Sequence, residues 1–135
     1  MSAEVTQTDL SGRINTIEEA YEFMLAYAAQ GLSTDQGSDV GSQARQFLQR
    51  CDAALAGLGS FLTGFVVETG LEPAAAYQAF ITVIDRDARD AQAAVQLVLA
   101  QRAISSQLVD NLNASIHLRA LLTDLFLIDE VLKHR

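Results

Sequence analysis

The second half of this 135-residue chain lacks the two residues that most often end regular structure. From Ala74 to Arg135 it contains neither glycine nor proline, while Pro73 and all eight glycines precede that stretch. Glycine costs a helix interior about 1 kcal/mol and proline about 3, so so long an absence in a segment rich in Ala, Leu, Gln and Arg predicts helix and excludes a succession of strands and turns. Tryptophan is missing, and a single cysteine, Cys51, rules out an internal disulfide. Positive charge is scarce: nine Lys and Arg stand against seventeen Asp and Glu, for a net charge of −8. No cluster of bases with interleaved aromatics exists, which argues against nucleic acid and against anionic membrane surfaces as partners. The longest uncharged run, Ala53 to Val67, falls short of the ~20 residues that span a bilayer and is broken by three glycines. The first residues have neither a basic start nor an apolar stretch, so no secretory signal is read, and the expected compartment is the reducing cytoplasm.

What is present is an apolar, helix-patterned chain. Half of the residues are hydrophobic and 19% are charged, a composition of folded domains rather than disordered ones. The length suits one domain. Residues 1–13 are polar and aperiodic and are expected to form a flexible arm, leaving 14–135 as a single helical domain. Thr16 and Glu19 have the spacing of a capping box, with Glu18, Glu19 and Glu22 complementing the helix dipole and Gly31 as the stop. Ile17, Ala20, Tyr21, Met24, Leu25 and Ala28 form the apolar stripe of that first helix. The glycine- and serine-rich stretch from Leu32 to Gln43 is expected to be the most mobile internal segment.

A second helix is predicted from Ala44 to about Val67, its register kept by Leu48, Cys51, Leu55, Leu58, Leu62 and Phe65. Ala56, Ser60 and Gly64 make a small-residue face that another backbone could approach. Gly70 and Pro73 end that helix and start a third, which runs on to a turn at Asp110–Ser115. Asn113 or Ser115 would then cap a fourth helix. The fold expected is an all-α antiparallel bundle of four main helices, or five if the third breaks near Asp87. The last helix is apolar nearly all round, and this breadth places it either at the centre of the bundle or in a contact shared with another subunit; the second reading assigns Leu121, Leu125, Phe126, Ile128 and Leu132 to a homodimer interface.

Chemistry-bearing motifs are few. Asp85-Arg-Asp-Ala-Arg-Asp90 places Asp85 with Arg89, and Arg86 with Asp90, at i and i+4, the spacing of weak surface ion pairs, with Asp87 unpaired among them. His117 and His134 lie about 25 Å apart along one helix and cannot share a metal, and neither follows a Glu by three residues. Cys51 falls in an apolar stripe and reads as an inert buried thiol. Tyr21, Phe23, Met24, Tyr27 and Phe80 could line a pocket for a flat ligand such as a tetrapyrrole or flavin. No catalytic, metal or cofactor signature emerges. The expected function is therefore a non-enzymatic adaptor, assembly factor or accessory subunit acting as a homodimer. Glu18, Glu19 and Glu22 would form an acidic docking surface for a partner with a basic patch, and a small-ligand carrier is the alternative.

Overall fold

A computed structural model describes residues 3–134, with side chains described from Gln7 onward. It is all-helical: α1 (Ala3–Ala28), α2 (Asp39–Leu55), α3 (Leu58–Thr69), α4 (Ala74–Leu99), α5 (Ser106–Ala114) and α6 (His117–Lys133). Four or five helices were expected from the pattern, and six form. One continuous core of buried aliphatic side chains draws on all six. Around it α1 packs on α2, α3, α5 and α6, and α4 packs on α2, α3, α5 and α6.

The first difference is at the front. Residues 3–13 belong to α1, where a flexible arm was expected. The physical reason is Leu10, which lies four residues before Ile14 and seven before Ile17; all three are buried on one stripe with Ala20, Met24 and Tyr27. Thr16 is thus inside the helix rather than capping it, and its hydroxyl donates to the Gly12 carbonyl at 2.9 Å. The stripe is also rotated from the expected one, leaving Leu25 exposed. Gly31, at φ +69°, does follow the end of α1.

The second predicted helix is two. Its apolar register continues unbroken, but Gly57 adopts a left-handed conformation (φ 67°) and the axis bends by 44° between α2 and α3. Arg13 reaches across from α1 to this corner, donating to the carbonyls of Ala54 (3.4 Å) and Ala56 (2.9 Å) with its guanidinium over the Phe61 ring. Gly70 ends α3 as expected, its N–H and that of buried Leu71 both reaching the Val66 carbonyl. The small-residue face does not receive a helix: Ala56, Ser60 and Gly64 are exposed, and a Cβ at Gly64 would meet nothing within 4 Å. The close approach lies one residue before Ser60, where a Cβ at Gly59 would run into the Asp85 side chain of α4.

The third difference is the break after Leu99. α4 passes straight through Asp87, then stops in Ala100–Ser105, a segment without glycine or proline. The connection between α1 and α2 holds it. Asp35, buried in that connection, accepts from the Ile104 N–H at 2.7 Å and from Arg45 Nε at 2.9 Å. The same Arg45 donates to the carbonyls of Leu99 and Gln101. Ser106 donates to the Tyr27 carbonyl and accepts from the Leu32 N–H, and the Tyr27 hydroxyl donates to the Ile104 carbonyl. The segment expected to be loosest is therefore pinned to the far half of the chain. Gly41 permits this, since a Cβ there would collide with the Asp35 backbone. The predicted turn at 110–115 falls on the end of α5: Ser115 donates to Leu112, and the next helix begins after Ile116, itself left-handed at φ 66°, with no side-chain cap.

Candidate docking groove on α4 and α6

One face of α4, its positions recurring every three to four residues, packs on α6, and the seam between them is only partly closed. At the start of α4, Ala76, Tyr77 and Phe80, together with Pro73, form one wall of an apolar groove. Leu127, Ile128 and Val131 of α6 form the other, and the volume is about 320 Å³. Phe126 (46% exposed), Leu127 (55%) and Val131 (44%) face solvent on or beside it, with Val83 exposed further along α4. An apolar strip rimmed by polar residues is the usual appearance of an interaction site, whereas single exposed apolar residues are commonplace.

This geometry redistributes the expected dimer interface. Leu121, Leu125, Ile128 and Leu132 are buried in the chain's own core and offer little or nothing to a second subunit; Phe126 alone of that set is exposed. The breadth of α6 has two causes. One stripe fills the core, and a second, carried by Leu127 and Val131, lines the groove.

Further along the same seam Asp87 of α4 meets Asp124 of α6. Burial, then a hydrogen bond and repulsion from Asp87, push the Asp124 carboxyl up to about 7. One Asp124 oxygen is buried with no donor facing it. Two carboxyls in contact cannot both ionise cheaply, which is why Asp124 holds its proton well above the ordinary carboxyl range. Sequence reading marked Asp87 as unpaired but missed Asp124, because the pairing depends on how α4 lies against α6.

The other sequence candidates are dispersed. Glu18 is half-buried and Glu19 and Glu22 are exposed on α1, with no ion pair among the described residues. Asp85 and Arg89 pair at 2.9 Å beside a polar dent between α3 and α4, whereas Arg86 and Asp90 make no such pair. Phe23 stacks on Phe47 at 4.5 Å and lies near buried Tyr27 and Met24, all core, while Phe80 belongs to the groove and Tyr21 to a dent beside Arg119. The five aromatic and sulfur side chains proposed as a flat-ligand pocket therefore do not converge. His134 contacts Glu130 at 2.8 Å, and His117 lies at the opposite end of α6. Burial, with the Asp52 charge second, pushes the Cys51 thiol up to about 12, which leaves it protonated and unreactive. Among the described residues no group of three His, Cys, Asp or Glu side chains is placed to hold a metal ion. Among the described residues no single helix is long and apolar enough to cross a membrane. No protein-family model matches the chain, nor does any curated protein or solved structure.

Proposed function

We propose that this chain is a non-enzymatic helical interaction protein, an adaptor, assembly factor or accessory subunit, and that it receives a helix of another protein in the α4–α6 groove. The observation that carries the reading is the apolar strip of half-buried Tyr77 and Phe80 with exposed Leu127 and Val131, which the described residues leave partly uncovered. An amphipathic helix laid into an apolar groove is one of the recurring modes of recognition. On this reading α1, α2, α4 and α6 are the four long helices of an antiparallel bundle, α3 and α5 are short side helices, and the acids of α1 contribute to the field that steers a basic partner.

A library of displayed helical peptides selected against the protein tests this. Selected peptides should bind the wild type and lose at least about tenfold in affinity on Leu127→Glu/Val131→Glu, substitutions at exposed positions. Peptides that bind that variant unchanged would remove the groove from the reading. The exposure of Phe126 favours a second occupant, another copy of this chain. A dimer in sedimentation equilibrium that Phe126→Glu dissociates would assign the groove to self-association.

A further inference from the structure

The groove does not end in apolar residues. Along α4, Ala76, Phe80, Val83 and Asp87 follow one another at steps of four, three and four, and along α6 Asp124, Leu127 and Val131 follow at three and four. Those steps keep residues on one helix face, so the two acids continue the rims that Phe80 and Leu127 begin. Asp87 lies about 10 Å beyond Phe80 by helical rise, or two turns.

Taking the groove as the docking site, as the preceding reading does, we propose that its partner is a basic amphipathic helix. The partner's apolar side chains seat between Phe80 and Leu127, and a Lys or Arg about two turns along reaches the Asp87–Asp124 pair. Three observations favour this occupant over a second copy. Of the neighbouring acids, Asp85 has Arg89, Asp129 has Lys133 and Glu130 has His134 on their own helices, while exposed Asp90 makes no ion pair among the described residues and adds to the negative charge beside Asp87. No base among the described residues pairs with Asp87 or Asp124, and one Asp124 oxygen is buried without a donor. The chain carries −8, so two copies repel one another at long range. An incoming ammonium or guanidinium is attracted to the partly exposed carboxyls of Asp87 and Asp124, a charge-assisted contact at the edge of an apolar one.

Two synthetic amphipathic helices test the inference. They are identical except that one carries Lys and the other Gln seven residues beyond the central leucine of the apolar face. Anisotropy titrations against the wild-type protein should give roughly tenfold tighter binding of the Lys peptide, a gap that narrows as salt rises. Against Asp87→Asn/Asp124→Asn the gap should fall below about threefold, with binding of the Gln peptide retained. Circular dichroism checks that this variant is folded, and Asp124→Asn alone serves if it is not. Equal binding of both peptides to the wild type, lost on Leu127→Glu/Val131→Glu, overturns the basic-partner inference and leaves the groove standing. Binding of neither peptide overturns both. A gap that persists on the Asn variants also overturns the inference, since the cation is then met elsewhere, for example by Glu18, Glu19 and Glu22.

Discussion

Two helix interruptions, at Ala56–Gly57 and at Ala100–Ser105, do the same job by different means. Each is closed by an arginine from a distant helix that donates to the carbonyls left open, Arg13 at the first and Arg45 at the second. The first also has a glycine in the left-handed region, a conformation that costs any other residue about 1–2 kcal/mol. The second has no permissive residue at all. Its backbone leaves the helix because Asp35 takes the Ile104 N–H, Ser105 caps the Leu108 N–H and the Tyr27 hydroxyl donates to the Ile104 carbonyl, so the buried groups of Ile104 that leave helical bonds find others. A bend built on glycine survives the loss of its tertiary partner better than one built on the partner alone.

The largest effect expected from that difference is at Asp35. Asp35→Ala leaves the Ile104 N–H without an acceptor and Arg45 without its counter-ion, and should cost about 3 kcal/mol in denaturant unfolding. A loss below about 1 kcal/mol would show that the second break is stable without its clasp. Burial pushes the Asp35 carboxyl up, but the Arg45 and Ile104 hydrogen bonds and the Arg45 charge outweigh it and hold it below the ordinary value. Its contribution is therefore present near neutrality and is lost as pH falls through that lowered value.

Asp124 gives the opposite slope. Its folded-state value, about 7, lies above the ordinary 3.8, so the folded chain holds a proton that the unfolded chain has released. The stability from that proton is complete below about pH 4 and is lost as pH rises through 7. Asp124→Asn should flatten the unfolding midpoint between pH 5 and 8 and raise stability at pH 8, because the amide can donate to Asp87. A midpoint profile unchanged by the substitution would mean that Asp124 does not hold its proton above the ordinary range in the folded chain.

How far these features were legible in the sequence follows the same division. Gly31, Gly70 and Pro73 act through their own backbones, and the stop after α1 and the α3–α4 corner could be read directly from them. Gly57 was visible too, but the apolar register runs through it unbroken, since a bend between two core-facing helices need not change which residues are buried. Thr16 and Glu19 have capping-box spacing, and Leu10 overrides it because an apolar residue in register is worth more to a helix than a cap it can do without. The break after Leu99 was illegible: its determinants, Tyr27, Asp35 and Arg45, lie more than fifty residues away. The groove was half legible. The breadth of α6 was apparent, yet only the packing of α4 separates Leu125, which is core, from Leu127, which is not.

The glycine side of the comparison gives a smaller effect. Gly57→Ala meets no neighbour, so it should cost only the left-handed strain of about 1–2 kcal/mol, and Arg13→Ala in the same background should add to it. If Gly57→Ala costs nothing, the chain has another way round this corner, and the bend is made by Arg13 as the second break is made by Arg45.

The smallest effect belongs to Gly64, where the sequence pattern and the packing disagree most plainly. A stripe of Ala56, Ser60 and Gly64 suggests close helix approach, for which leucine would overpack by roughly 1–3 kcal/mol. In the folded chain that stripe faces solvent, and the glycine that cannot accept a side chain is Gly59, against Asp85. Gly64→Leu should therefore be neutral or stabilising by about 0.5 kcal/mol, from helix propensity alone, and Gly59→Leu should be strongly destabilising. Thermal unfolding of the two variants side by side decides it. A loss at Gly64 equal to that at Gly59 would place α3 with its other face toward α4 and would redraw the polar dent beside Asp85.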